Sequence, residues 1–196
     1  EPKKELFQAA YILNDMLMLT GGYESSKNQV AGFMSSYPNS IYLADVDKSL
    51  SAIEKLKEGA VVENFSFVDL EGKSVSLMDY KDKIIYLDLW ASWCGPCRKE
   101  NPNVVRLYKK YKSQGFEVFS VSLDQDQAAW KGAIDKDGLI WPNHVSDLMG
   151  WQTPLVQSYG IQGIPHTVLL NREGNIVGVG LRGDQLEQKL IEQLAK

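Results

Sequence analysis

The chain has 196 residues, of which 44% are hydrophobic and 23% are charged, and its formal net charge is −4. This balance is typical of a globular protein, and a chain of this length buries about 70% of its unfolded surface without needing disulfide staples. The sequence has no basic block suited to nucleic acid, and no apolar run approaches the ~18 residues of a membrane span.

Residues 1–59 carry no redox motif, and their apolar residues recur at helical spacing. Caps and breakers predict three helices: one ending at Gly21–Gly22, one over Ser26–Ser36 before Pro38, and one from Asp47 as N-cap to Glu58 with Gly59 as C-cap. The inward positions are expected to be Leu6, Ala10, Leu13, Leu17, Val30, Phe33, Met34, Val46, Leu50, Ile53 and Leu56. The methionines Met16, Met18 and Met34 fit an ordinary core or a partner groove. We expect a helical cap packed on the rest of the chain.

From residue 60 onward the pattern alternates between strands and helices. The predicted elements are a hairpin over Asn64–Val68 and Lys73–Leu77, a buried strand Ile84–Trp90, a helix Cys97–Lys112, a strand Glu117–Leu123, a helix Gln125–Asp137, a strand-helix insertion Gly138–Gln157, a hairpin over Thr167–Leu170 and Ile176–Leu181, and a last helix capped by Asp184. This order predicts an α/β domain over residues 60–196.

The two cysteines stand in the sequence Trp-Cys-Gly-Pro-Cys, where Cys94 and Cys97 enclose Gly95 and Pro96. The strand before them and the helical pattern after them predict Cys94 at a helix N-cap and Cys97 one turn inside. The partial positive charge of a helix N-terminus stabilises a thiolate, so the Cys94 thiol is expected to have a pKa below its usual ~8.5 and to attack first. Cys97 then resolves the mixed disulfide, and no further cofactor is needed.

Three other uses of two cysteines fit less well. A structural disulfide that closes so short a loop removes little chain entropy from the unfolded state. A zinc site needs four ligands, and only His144 and His166 stand beside the cysteines, widely separated in the sequence. Haem attachment requires a His directly after the second cysteine, where this chain has Arg98. The spacing therefore favours redox chemistry and no metal.

The strand YLDLWAS followed by WCGPC resembles the thioredoxin superfamily. Asp88 is similar to the buried acid of thioredoxins, Pro102 to the proline in their first helix, and Ile164–Pro165 to the cis-proline loop that faces the cysteines. Glu100 narrows the resemblance to the envelope thiol-disulfide oxidoreductases of the TlpA/ResA type, because thioredoxins proper are apolar there. The resemblance covers roughly Ala60 to Lys196. It implies a thioredoxin-like fold, with a central mixed sheet flanked by helices and an N-terminal β-hairpin, extended here by the helical segment.

The two carboxylates are candidate catalytic residues. Burial in an apolar strand is expected to raise the pKa of Asp88, which can then exchange protons with Cys97. Alignment places Ser120 on the next strand where thioredoxins carry a lysine. Glu100 lies three residues after Cys97 on the same helix face, where it either tunes the thiol pKa values, receives the proton, or is a solvated first-turn acid.

The cis-proline loop is a candidate substrate-binding segment. A cis bond before Pro165 turns the backbone of Ile164 toward a substrate peptide that pairs with it like a strand. His166 either titrates near neutral pH or is a hydrogen-bonded loop residue. We expect Trp93 to form an apolar lip of the site and the ring of Trp90 to lie in the core.

The resemblance implies a monomeric reductant of protein disulfides in the periplasm or cell envelope, kept reduced by a membrane electron donor. Apocytochromes c, metallochaperones and misoxidised proteins are the implied partners. The chain starts at Glu1 without Met, which leaves room for an upstream signal peptide or lipid anchor that these residues do not themselves show. A peroxiredoxin-like peroxidase is an alternative, although Trp90-Ala-Ser-Trp93 replaces the Thr and Pro expected before a peroxidatic cysteine. The other alternative is a binding module that senses redox state without catalytic turnover.

Overall fold

The computed structural model describes residues 2–18 and 22–196. Within them the helices are α1 (Pro2–Met18), α2 (Gly22–Ser36), α3 (Leu43–Glu54), α4 (Gly95–Tyr111), α5 (Gln127–Asp137), α6 (Pro154–Ser158) and α7 (Gly183–Leu194). The strands are β1 (Ser66–Val68), β2 (Ser74–Ser76), β3 (Ile84–Trp90), β4 (Phe116–Ser122), β5 (His144–Val145), β6 (His166–Leu170) and β7 (Ile176–Val179). Short 3-10 helices span Leu77–Tyr80, Lys112–Gln114 and Gly150–Gln152.

A five-stranded mixed sheet in the order β5-β4-β3-β6-β7 forms the centre of the fold, and β1 and β2 form a separate hairpin. Strand β3 runs parallel to β4 and antiparallel to β6. Every residue of β3 is buried, because neighbouring strands flank both edges and other elements cover both faces. The thioredoxin-like α/β fold predicted from the sequence is confirmed.

Two hydrophobic clusters occupy the described chain. The larger one surrounds the sheet and includes Leu56, whereas the smaller one lies within α1–α3 and consists of Ala9, Ile12, Met16, Val30, Phe33 and Val46. The segment after α3 joins the helices to the sheet region, since Lys55 Nζ donates to Ser158 Oγ at 3.1 Å and the Gly59 N–H donates to Ile176 O at 2.8 Å. A domain boundary between residues 59 and 60 stays a prediction.

The predicted inward face of α1 is wrong in part. Leu6 and Ala10 are exposed, whereas Leu13 packs against the cluster as predicted, and its buried members on α1 are Ala9, Ile12 and Met16. The apolar residues of α1 are spread around its circumference, so spacing alone did not select the face that the other helices cover. Met34 is likewise exposed rather than inward. Gly21 and the side chains of Leu17 and Met18 lie outside the described residues.

The other two N-terminal helices begin earlier than predicted. Helix α2 begins at Gly22 rather than Ser26, and α3 begins at Leu43 rather than Asp47. Tyr42 is the N-cap of α3 and makes no side-chain cap bond, so the capping preference of Asp47 did not decide the boundary. Helix α3 ends at Glu54, and Gly59 instead adopts a φ of 84° in the turn that meets β7.

The elements around the sheet follow the prediction more closely. Strand β3 has the predicted bounds, and β7 ends at Val179 rather than Leu181. Helix α4 begins at Gly95, two residues before the predicted range but directly after the predicted N-cap Cys94. The prediction that Asp184 caps the last helix is wrong. Arg182 occupies the N-cap position, and the Gly183 N–H donates to Glu100 Oε1 at 2.8 Å. A carboxylate from α4 thus satisfies an N–H at this helix end.

Candidate active site

Cys94 and Cys97 form a disulfide at the carboxyl end of β3, with their Cα atoms 5.3 Å apart. Cys94 is the N-cap of α4, as predicted, and its Sγ accepts the Cys97 N–H at 3.2 Å. Gly95 and Pro96 occupy the exposed first turn, where the missing N–H of proline removes no helical hydrogen bond. The helix N-terminus therefore points its free N–H groups at the first sulfur, which favours a thiolate there after reduction.

The Ile164–Pro165 peptide bond is cis, as predicted. It directly precedes β6, whose first residue, His166, pairs with Leu89 near the end of β3. Because β3 and β6 are antiparallel, the start of β6 and the end of β3 lie at the same edge of the sheet. The cis-proline loop and the disulfide therefore share one end of the fold, where a polypeptide can meet both.

Asp88 is buried in β3, with 6% of its surface exposed, and lies directly opposite Ser120 on β4. The predicted pairing of these positions is confirmed. Burial raises the pKa of Asp88 from 3.8 to about 7; Arg182 opposes this rise, and Glu100 adds to it. A carboxyl group with this pKa can accept and return a proton near neutral pH.

Glu100 has a structural partner that its position in the sequence did not indicate. Its Oε1 accepts both the Asn103 side-chain amide at 2.7 Å and the Gly183 N–H at 2.8 Å. The half-buried carboxylate therefore joins α4, which carries the cysteines, to the start of α7. Sequence reasoning placed Glu100 on the cysteine helix but had no signal for the contact with Gly183, 83 residues away.

The loop before Cys94 is fixed by a buried carboxylate that the sequence analysis did not single out. Asp124 accepts the Ser92 N–H at 2.9 Å, the Ser92 hydroxyl at 2.6 Å and the Ser122 hydroxyl at 2.7 Å. Arg98 holds the same loop from the other side by donating to Ser92 O at 3.3 Å, while its guanidinium pairs with Asp137. The sequence does show that Asp124 directly follows a buried strand, which marks it as a candidate site residue. Its distance from Ser92 along the chain does not indicate that the two residues are in contact.

Two tryptophans lie together on the exposed side of the site. Trp93, predicted as an apolar lip, is 57% exposed, and its ring centroid lies 6.4 Å from that of Trp151, which is 40% exposed. Trp90 is fully buried, as expected for a core ring. Trp151 comes from the segment predicted as an insertion, where a role beside Trp93 was not anticipated.

His166 lies on the opposite face of the sheet from Asp88 and lines a small apolar pocket together with Leu56, Val62, Leu87, Leu89, Leu155, Tyr159, Ile161 and Val168. Burial lowers the pKa of His166 to about 4, and its Nε2 has no hydrogen-bond partner among the described residues. His144 is also buried, with a pKa of about 4, and stacks on Trp141. Neither imidazole titrates near neutral pH.

Residues 2–18 and 22–196 contain no group of three or more His, Cys, Asp or Glu side chains arranged to hold a metal ion. The same residues contain no helix with the length and apolar character of a membrane span.

The fold and the paired cysteines define a thiol-disulfide oxidoreductase of the thioredoxin superfamily, similar to the TlpA/ResA type. The family model described as Redoxin matches residues 57–194, and the chain belongs to this family.

The relatives that match this chain are named thiol-disulfide oxidoreductases. The thiol-disulfide oxidoreductase ResA of Bacillus thuringiensis subspecies konkukian is 34% identical over 143 residues, which are 73% of this chain and 80% of the relative. ResA of Bacillus subtilis is 32% identical over 126 residues, 64% of this chain and 68% of the relative.

Solved structures agree with the fold. The thioredoxin domain of a thiol-disulfide oxidoreductase from Bacteroides vulgatus matches with a TM-score of 0.65 and 38% identity, over 69% of this chain and 96% of that one. A thiol:disulfide interchange protein from a Bacteroides species matches with a TM-score of 0.64 and 37% identity, over 71% of this chain and 91% of that one. The prediction from the cysteine motif that this protein is a disulfide oxidoreductase is confirmed.

Proposed function

We propose that this protein reduces disulfides in polypeptide substrates of the bacterial cell envelope. The observation that carries the proposal is the position of the Cys94–Cys97 disulfide at the start of α4, at the same edge of the sheet as the cis Ile164–Pro165 bond. A reactive sulfur beside an extended, substrate-accessible backbone suits polypeptide disulfides better than a small oxidant. The Gly-Pro pair between the cysteines resembles that of reducing thioredoxins and supports the reducing direction.

The exchange proceeds in two steps in the reduced enzyme. The Cys94 thiolate attacks one sulfur of the substrate disulfide, forms a mixed disulfide and releases the other substrate sulfur as a thiolate. Cys97 then gives its proton to the Asp88 carboxylate and attacks the Cys94 sulfur, releasing the second substrate thiolate. Two electrons pass from the dithiol to the substrate, and the enzyme is left with the Cys94–Cys97 disulfide.

Residues next to the cysteines have proposed roles of their own. The backbone of Ile164 beside Pro165 pairs with the extended substrate, and Trp93 provides an apolar contact next to the attacking sulfur. Gly95 and Pro96 leave the approach to Cys94 open, since both lie exposed in the first turn of α4.

The cellular setting is proposed from the resemblance to ResA-type proteins. The substrates would be apocytochrome c, a metallochaperone or a misoxidised protein, and a membrane electron donor would restore the dithiol. The enzyme would act as a monomer in the periplasm or cell envelope, with any anchor lying upstream of Glu1. The helical segment before residue 60 is proposed as a cap on the catalytic domain, and limited proteolysis that releases a stable, independent fragment 1–59 would contradict it.

Insulin reduction with dithiothreitol as electron donor tests the proposed activity. Wild-type protein should accelerate precipitation of the insulin B chain, and Cys94→Ser should abolish that acceleration. Cys97→Ser should accumulate a mixed disulfide with the substrate, visible by mass spectrometry. Peroxide consumption without insulin reduction would instead identify a thiol peroxidase, and reversible oxidation without either turnover would identify a redox-sensing module.

A further inference from the structure

The segment between β7 and α7 is fixed by hydrogen bonds from three other elements. The Gly180 N–H donates to Thr167 O at 2.8 Å, and Leu181 O accepts the hydroxyl groups of Thr167 and Tyr86, each at 3.2 Å. Glu100 on α4 then accepts the Gly183 N–H at 2.8 Å. Strands β3 and β6 and the cysteine-bearing helix therefore fix this segment, although no residue of it was a candidate from the sequence.

Arg182 extends from this fixed segment to the cis-proline loop. One of its terminal guanidinium nitrogens donates to Pro165 O at 2.8 Å. Arg182 thus contacts the carbonyl of the proline whose preceding residue is the proposed pairing site for substrate backbone. Its neighbour Gly183 contacts Glu100, so the two consecutive residues connect the cis-proline loop to the helix that bears Cys97.

The same segment lies beside the strand position of the buried acid. Asp88 is directly opposite Thr167 in the β3–β6 pairing, and the Thr167 hydroxyl donates to the carbonyl of Leu181, the residue before Arg182. Burial is the largest influence on the pKa of Asp88 and raises it, whereas Arg182 lowers it and Glu100 raises it. Tyr86, two residues earlier on β3, has a pKa raised by burial and by the charge of Asp88. Among the charged groups that act on Asp88, the one that favours the carboxylate is therefore Arg182.

We propose that Arg182 is a positioning residue for thiol-disulfide exchange, which fixes the cis-proline loop for an incoming polypeptide and keeps the Asp88 carboxylate available as a proton acceptor. This inference rests on the proposed reductase function and deepens it. The two effects come from different properties of one side chain. The hydrogen bond to Pro165 O requires a donor of suitable length, whereas the effect on Asp88 requires a positive charge.

Three substitutions in the full chain separate these effects. Arg182→Gln retains an N–H donor but removes the charge. Arg182→Lys retains the charge but replaces the planar guanidinium by an ammonium group, and Arg182→Ala removes both the donor and the charge. Arg172→Ala is the matched control, because Arg172 also donates to backbone carbonyls, those of Asp82 and Gln114, but lies near the opposite edge of the sheet.

The first measurement is steady-state reduction of a disulfide-bridged peptide, compared with reaction of the reduced enzyme with dithiodipyridine. Arg182→Ala should raise KM for the peptide by about three- to ten-fold, the range expected for one hydrogen bond. The initial attack of Cys94 on the small disulfide should change less than about two-fold, since this step needs neither pairing with the loop nor proton transfer to Asp88. An unchanged peptide KM in Arg182→Ala, or an equal rise in Arg172→Ala, would overturn the loop-positioning role.

The second measurement does not depend on turnover. The pKa of Asp88, followed by the NMR shift of its side-chain carboxyl carbon, should rise in Arg182→Gln and Arg182→Ala and stay near the wild-type value in Arg182→Lys and Arg172→Ala. An unmoved Asp88 titration in Arg182→Gln overturns the electrostatic role. If wild-type protein reduces no peptide disulfide, the proposed function fails, and this titration still decides whether Arg182 controls Asp88.

Discussion

Asp88 lies directly opposite Ser120 on the neighbouring parallel strand, and the Ser120 hydroxyl oxygen accepts a hydrogen bond from the indole N–H of Trp141 at 3.0 Å. This pairing gives the buried acid no positive charge from β4. Burial therefore dominates over the attraction to Arg182, and the pKa of Asp88 reaches about 7. The protonation of this group links both the stability and the chemistry of the protein to pH.

Replacement of Asp88 by Asn should stabilise the oxidised protein at about pH 8. Between pH 3.8 and about 7 the unfolded chain releases the Asp88 proton while the folded chain retains it, so this group makes the fold less stable as pH rises through that window. The full effect has an upper limit on the order of 4 kcal/mol, from the roughly three-unit shift. Urea unfolding should give a clear gain for Asp88→Asn at about pH 8 and little difference near pH 4; equal stabilities at both would contradict the buried, raised acid.

The same substitution should slow the reductase. An amide cannot take the Cys97 proton, so turnover of a peptide disulfide should fall by about 10²-fold at neutral pH. The loss should shrink at high pH, where hydroxide deprotonates the thiol without help. Stopped-flow resolution of the mixed disulfide measures this step directly, and a rate equal to that of the wild type across the pH range would exclude Asp88 as the proton acceptor.

Asp124 should control the geometry of the loop before Cys94. Asp124→Ala leaves the Ser92 N–H and two hydroxyl groups without their acceptor, so it should destabilise the protein by roughly 2–4 kcal/mol and reduce activity. Ser122→Ala removes one of the three bonds to the carboxylate and also the acceptor of the Asp124 N–H at 3.0 Å, so it should cost about 1–2 kcal/mol. Chemical denaturation of both variants provides the comparison. Equal losses would mean that the contacts to Ser92 contribute little.

Glu100 should have a measurable structural effect as well as a proposed effect on the thiols. Glu100→Ala removes the acceptor of the Gly183 N–H and should cost about 1 kcal/mol, whereas Glu100→Gln retains an acceptor and should remain near wild-type stability. If the Glu100 charge also shifts the pKa values of the cysteine thiols, both variants should shift the pH profile of thiol alkylation. An unaltered profile in Glu100→Gln would restrict this residue to the contact with α7.

Trp151 should contribute to binding of polypeptides rather than to chemistry. Its exposed ring extends the apolar surface of Trp93, so Trp151→Ala should raise KM for a peptide disulfide with an apolar residue beside the cysteine by about three- to ten-fold. The rate with dithiodipyridine should stay within about two-fold. Ile191→Ala, which truncates an exposed apolar residue on α7, is the control. A similar KM for Trp151→Ala and Ile191→Ala would remove Trp151 from the binding surface.

The parts of the site that the sequence predicted depend on local patterns. The continuous apolar run defined β3, the thiol and proline in the first turn defined the start of α4, and the motif around Pro165 predicted the cis bond. The parts that were missed depend on contacts between distant residues. Asp124 meets Ser92 across 32 positions and Glu100 meets Gly183 across 83, and neither spacing has a periodic signature. Asp184 was assigned as a helix cap by local preference, and the distant Glu100 carboxylate overrode it.

The reduction potential of the Cys94–Cys97 pair, measured by equilibration against glutathione mixtures, tests the central claim most directly. Stabilisation of the Cys94 thiolate by the α4 N-terminus acts on the reduced form, but the proposed reducing direction requires that this effect remain moderate. The expected potential is close to that of thioredoxin, about −270 mV. A value near −120 mV would make the dithiol form so stable that the protein could act only as an oxidant, contradicting the proposed function.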